Sequence, residues 1–435
     1  MAGGIVCGME ITMDMIIRNI SLVATPEGKK AVHGEKMKTL HCRKDTSIII
    51  ENGKIAFLGP EKEAFRYCKD QNKTGDDYKI LEGKGKCALP GFIDSHTHFI
   101  FGGYRPEEFM MRLAGKEYLE IHRMGGGIEA TVQATRSASE EELFYQGKKR
   151  LTRMLKQGVT CVEGKSGYGL NLSTEIRQLQ VIRRLQREQP VEVVPTFLGA
   201  HAIGKEFAGD GDAYISYLIQ EVLPEVVQGG LAEYCDAFIE EGVFTASQGE
   251  RLFKAAREAG MGIKVHADEM NSIGAVEAGL KYGAVSADHL LKITEQDIQK
   301  LGKTDTVATL LPATAFCLHK PYAPARKLID GGCAVALASD FNPGSCFSDN
   351  IPLMIALSVI HMGMSLEEAV TALTINGAAA LGRAGRIGSL EVGKDADIVL
   401  LGCPDYKYLV YYTAENLVDT VIKKGKVVMV NDYEI

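Results

Sequence analysis

Apolar and polar positions change rhythm twice along this chain. From Thr46 to Gly59 two β-rich runs flank Asn52-Gly53, a pair favoured in type I′ hairpin turns. The same short-strand texture returns near the other end, at 396–401 and 420–428. In between, apolar strand candidates recur at 88–99, 158–165, 191–201, 232–240, 262–269, 284–290, 306–314 and 333–342. Amphipathic helical segments separate most of them, among them 140–157, 174–188, 247–259 and 294–302. Eight strand–helix units in series predict an α/β fold, a (β/α)8 TIM-like barrel. The terminal strands predict a small β-sandwich domain built from both chain ends. The expected divisions are 1–87 and 386–435 for the two parts of that domain and 88–385 for the barrel.

Smaller features refine the layout. The charged stretch 61–77 reads as an exposed loop or insertion, and residues 1–12 as a frayed extension. An open doubly wound sheet is the rival architecture, but no Gly-x-Gly-x-x-Gly follows a strand. Gly125-Gly126-Gly127 follows a helical segment and reads as a mobile loop.

Composition narrows the function classes. The 435 residues are 46% hydrophobic and 24% charged, ordinary for a globular protein. A net charge of −7 argues against a nucleic-acid partner, which would demand clustered Lys and Arg. No apolar run reaches the roughly 18–20 residues needed to span a bilayer. The first dozen residues lack a basic stretch and a clear cleavage site, so no secretory leader is expected. The 10 cysteines are scattered without a Cys-x-x-Cys pair, a pattern expected of reduced thiols in a cytoplasmic enzyme.

The chemistry concentrates in Pro90 to His98, Pro-Gly-Phe-Ile-Asp-Ser-His-Thr-His. Strand side chains alternate faces, so His96 and His98 point the same way, about 7 Å apart. Further candidates fall at later strand ends, where barrel enzymes collect their catalytic groups. They are His201, His266 with Glu269 just beyond it, His289 and Asp340. His96, His98, His266 and Asp340 form the proposed metal shell: three imidazoles and a carboxylate that suit Zn²⁺ or Fe²⁺ and leave a position for water. The fourth strand carries no lysine to bridge two metals, which favours one ion per chain. Lys264 shares a face with His266 and has no evident partner.

These residues, in this order, resemble the amidohydrolase superfamily, and Gly388–Asp397 is similar to its return into the β-domain. Phe101–Arg105, Gly125–Ile128, Lys165–Gly169, Gly199–His201, His266–Glu269 and Ser339–Gly344 resemble, over nearly the whole chain, the branch acting in histidine degradation. That resemblance implies a small-molecule substrate, 4-imidazolone-5-propanoate, opened by water to N-formimidoyl-L-glutamate. It also implies one zinc or iron ion, a cytoplasmic location and a homodimer. Arg105 and Tyr168 are then expected at the substrate's carboxylate, with Tyr168 also able to meet the ring. His201 is expected at the lactam oxygen, and Asn342, Gly344 and Ser345 as contacts in the last strand's loop. Glu269, His289 and Asp340 are the expected proton-handling groups. The alternative is another mononuclear amidohydrolase, such as a nucleobase or amidine deaminase; a neutral heterocycle needs no carboxylate clamp at Arg105 and Tyr168.

Overall fold

The computed structural model describes residues 14–116 and 126–431. The expected N-terminal extension, Gly125 of the triple-glycine run and the last four residues lie outside the described residues.

Eight parallel strands pair in chain order: β6 (Phe92–Asp94), β7 (Val159–Lys165), β8 (Glu192–Ala200), β9 (Tyr234–Ile239), β10 (Gly262–Ala267), β11 (Ser286–His289), β12 (Val307–Leu310) and β13 (Ala334–Leu337). The ends of this series meet just past the strands, where His98 N–H donates to Phe341 O and Asp340 N–H to His96 O, both at 3.0 Å. The barrel thus closes through the backbone of the segments that carry three of the proposed ligands. Helices cover the outside, as the periodicity predicts. Glu140–Lys156 starts from a capping box in which Ser139 and Glu142 bond each other's backbone N–H, and it buries Leu143, Leu151 and Leu155.

The expected small β-domain joins both chain ends as one mixed sheet. Its strands are β1 (Asp14–Thr25), β2 (His41–Glu51), β3 (Lys54–Pro60), β4 (Tyr78–Glu82), β5 (Cys87–Pro90), β14 (Ile398–Leu401), β15 (Val418–Lys423) and β16 (Lys426–Val430). The order is β16-β15-β14-β5-β1-β2-β3, with β4 beside β1. β2 and β3 form the expected hairpin. Asn52 and Gly53 take φ of 51° and 76°, the left-handed pair of a type I′ turn. A Cβ at Gly53 would lie 2.9 Å from the Lys424 carbonyl, so the turn is also packed against the C-terminal hairpin.

Three local expectations change. The apolar run 88–99 is two strands, because β5 pairs with β14 and β1 in the terminal sheet and only β6 enters the barrel. We place the hand-over at Gly91, whose N–H donates to Asp397 O. Within the charged 61–77 stretch, Glu61–Asp70 is a helix. It buries Ala64 and Cys68 against Ile16, Ile49 and Tyr78, so its apolar residues are too few to stand out among the charges. The seventh barrel strand stops at Leu310, because Pro312 opens the helix Pro312–Cys317.

Candidate active site

The strand ends bring all of the proposed ligands together. His98 Nε2 lies 3.3 Å from His96 Nε2 and 3.4 Å from His266 Nε2. Asp340 Oδ1 lies 3.5 Å from His98 Nε2 and 3.7 Å from His96 Nε2. Donors about 2.0–2.1 Å from one ion at tetrahedral angles stand about 3.3–3.4 Å apart, so the spacing fits a single ion of zinc's size. Asp340 Oδ2 accepts from Thr314 Oγ1 at 2.8 Å, which turns the other oxygen toward the histidines. Burial holds His96 and His98 well below the usual imidazole range, takes His266 down to about 3 and lifts Asp340 to about 7. Neutral imidazoles are what a metal requires. His289 and Asp340 reach the site from left-handed backbone, with φ of 80° and 49°, a conformation concentrated at functional sites.

Beneath the histidines lies a charged layer that the sequence reading missed. His96 Nδ1 bonds Asp288 Oδ2 at 2.6 Å, and His266 Nδ1 lies 3.0 Å from Asp236 Oδ2. Asp236 Oδ2 also accepts from Lys165 Nζ at 2.6 Å, and Glu163 Oε2 stands 2.9 Å from that same ammonium. Lys264 now has its partners: it donates to Ser95 O at 2.9 Å and lies 3.2 Å from Glu163 Oε2 and 3.8 Å from Asp288 Oδ2. All five charged side chains are fully buried. Burial opposes ionisation of Asp236, but His266 and Lys165 outweigh it and hold the carboxyl well below the usual range. The carboxylates orient the imidazoles with Nε2 toward the centre, an arrangement typical of metal-binding histidines. The signal was present in the strands: Glu163 with Lys165, and Lys264 with His266, alternate on one face.

One cavity opens onto these donors. It is lined by His98, Tyr168, His201, Phe238, His266, Glu269, His289, Asp340, Asn342 and Ser345. His289 Nδ1 lies 3.6 Å from Glu269 Oε2, so two of the three expected proton carriers face each other. His289 also comes close enough to His96 and His266 to share an ion with them, and both its ring nitrogens are buried without a hydrogen-bond partner. His201 stacks on His98 with ring centres 4.9 Å apart, and its Nδ1 bonds Gly167 O at 3.0 Å. A carbonyl only accepts, so Nδ1 carries the proton and Nε2 of the neutral ring is an acceptor. Burial takes His201 down to about 4, which keeps that ring neutral. In this tautomer His201 presents an acceptor, Nε2, to the cavity.

The other expected contacts are placed less directly. Asn342 braces its own turn: its amide donates to Asp340 O at 2.6 Å and Ser345 Oγ at 2.7 Å, and accepts from the N–H groups of Gly344 and Ser345. Arg105 lies over that turn, where a Cβ at Gly344 would come within 2.6 Å of its Nη1. Its Nε and Nη2 grip both oxygens of Glu108, and Nη1 reaches Thr131 Oγ1 at 3.4 Å. The Nη1 edge is the one directed at the loop.

Comparison with known proteins places this geometry. Residues 87–428 match the amidohydrolase family. The chain is 51% identical to the imidazolonepropionase of Porphyromonas gingivalis over 422 residues, covering 97% of this chain and 98% of the relative. It is 47% identical to the imidazolonepropionase of Clostridium tetani over 97% of this chain and 99% of that one. Among solved structures it is similar to a zinc complex of an atrazine chlorohydrolase from Arthrobacter aurescens, with TM-score 0.66, 16% identity and coverage of 96% and 95%. An adenosine deaminase from Xanthomonas campestris with bound zinc gives TM-score 0.65 at 18% identity, covering 97% of this chain and 95% of that one.

Proposed function

The chain belongs to the amidohydrolase family and, within it, to the imidazolonepropionases; from that membership we propose that it hydrolyses 4-imidazolone-5-propanoate to N-formimidoyl-L-glutamate. The observation that carries the reading is the shared cavity. Three of the four proposed ligands, His98, His266 and Asp340, line one opening together with Glu269, His289 and side chains able to hold a planar ring.

His96, His98, His266 and Asp340 would hold one divalent ion. Such an ion supplies a Lewis acid and lowers the pKa of a water to about 7. Lys165 and Lys264 favour a single ion, because their ammonium groups already neutralise the carboxylates beneath it. The chain's own groups do the rest. His201 Nε2 accepts from the substrate's ring N–H and fixes the ring plane. Tyr168 packs beside it, its ring centre 5.2 Å from that of His201. The Nη1 edge of Arg105 and the turn at Gly344 and Ser345 receive the propanoate carboxylate. Glu269 takes a proton from the attacking water and, with His289 beside it, returns one to the ring nitrogen as the amide C–N bond breaks. The carbonyl carbon becomes the new carboxylate.

The test is direct. Protein loaded with one equivalent of zinc or iron is given 4-imidazolone-5-propanoate prepared fresh from urocanate, and loss of its ultraviolet absorbance is followed. Loss with formation of N-formimidoyl-L-glutamate and no ammonia is expected. Ammonia release would place the chain with the deaminases, and no absorbance loss from metal-loaded protein would overturn the assignment. Elemental analysis showing two ions per chain would remove the single-ion reading.

A further inference from the structure

The cavity wall formed by Tyr168 and His201 is held from behind by one helix. After β7 the chain runs through Ser166-Gly167-Tyr168-Gly169-Leu170 before the helix Leu172–Glu188. Gly167 and Leu170 have φ of 107° and 53°, and the loop is neither strand nor helix. Its four consecutive N–H groups go instead to two side chains, three residues apart on that helix. Glu175 Oε2 accepts from Gly167 N at 3.0 Å, and Oε1 accepts from Gly169 N and Leu170 N, both at 2.8 Å. Gln178 Oε1 takes Tyr168 N at 3.2 Å, and its Nε2 donates to Ile100 O at 2.7 Å. Both side chains are fully buried, with 0% exposure. The fit leaves no slack: a Cβ at Gly169 would stand 2.7 Å from Glu175 N and 2.9 Å from Oε1.

We infer that Glu175 is a positioning residue for the substrate site, acting through the loop it clasps. This rests on the reading of Tyr168 and His201 as substrate contacts. A carboxylate suits the place for two reasons. It has two oxygens and no proton to donate, so it can take three N–H groups at once. It also sits in the first turn of a helix, where an anion is favoured. Charge-assisted bonds of this kind are roughly twice as strong as neutral ones. The consequence reaches the cavity by two routes. The clasp places the Tyr168 ring, and it aims the Gly167 carbonyl that accepts the hydrogen bond from His201 Nδ1–H at 3.0 Å. Glu175 thereby sets which nitrogen of His201 faces the substrate as an acceptor.

Glu175→Gln tests this, because an amide has one acceptor oxygen and must turn its NH₂ toward at least one loop N–H. In the metal-loaded enzyme we expect KM to rise about 10- to 100-fold while kcat changes less than about 5-fold, the signature of lost substrate positioning. Metal content should stay at the parent value. In ¹⁵N-histidine spectra at neutral pH, the parent's His201, assigned from its loss in His201→Asn, should show a protonated Nδ1 and a bare Nε2. The variant should show a mixture of tautomers. Gln178→Leu frees Tyr168 N–H and Ile100 O but leaves the other three loop N–H groups on Glu175, so it should raise KM by a smaller factor, and it stands in should the Glu175 variant fail to fold. Parent KM with a parent tautomer in a folded variant overturns the proposal, even if the melting temperature falls, since that would be a purely structural role. The tautomer needs no turnover, so it decides the matter even if the assigned reaction proves wrong.

Discussion

Replacing Asp236 by Asn should damage stability and metal affinity separately, and the structure says by how much. The Oδ2 of Asp236 meets two groups, Lys165 Nζ at 2.6 Å and His266 Nδ1 at 3.0 Å, and all three side chains are buried. Breaking a buried ion pair by removing one charge costs about 3–5 kcal/mol. Lys165 keeps Glu163 at 2.9 Å, so its charge is not left alone and the lower end, about 3 kcal/mol, is expected. That loss belongs to the metal-free protein and is read from guanidinium unfolding of stripped parent and variant. The second loss appears only on metal binding. An Asn oxygen still accepts from His266 but polarises the ring less, and carboxylates in this role are typically worth 10- to 100-fold in affinity, about 1.4–2.8 kcal/mol. Competition with a chromophoric zinc chelator measures it. If the stripped variant unfolds within about 1 kcal/mol of the parent and its zinc affinity is within about 3-fold, Asp236 neither balances Lys165 nor orients His266.

Arg105→Met should raise KM about 10- to 100-fold at unchanged metal content, since a charge-assisted bond is usually worth about 1.5–3 kcal/mol; an intact KM with a collapsed kcat would instead put Arg105 in the chemistry. Glu269→Gln and His289→Asn should each lose several orders of magnitude in kcat, and the double variant should be little worse than either, because groups acting as a unit are not additive. Multiplicative losses would show separate roles for the pair 3.6 Å apart. Gly53→Ala should lower stability by about 1–2 kcal/mol, from its left-handed φ of 76° and a Cβ 2.9 Å from Lys424 O. Equal melting temperatures would refute that reading of the turn.

Periodicity by itself determined the barrel, the β-domain from both ends and the hairpin at Asn52-Gly53, because each is written in local spacing. A two-residue alternation marks a strand face, and Asn-Gly marks a turn that few other pairs can adopt. The candidate ligands were legible for a related reason: His96 and His98 fall on one face at a strand end, and His266 and Asp340 recur at later ones, as does His289. Tertiary structure alone decided what lies between strands. Asp288 touches His96 from a strand far along the chain, Asp236 touches His266 from the neighbouring strand, and Lys264 found its counter-charges at Glu163 and Asp288, on two other strands. Local pattern holds no record of such contacts, because a buried charge looks the same in sequence whether or not it is balanced. The tautomer of His201 follows the same logic, since it depends on the direction of one carbonyl, at Gly167, in a loop with left-handed backbone whose N–H bonds Glu175, eight residues on.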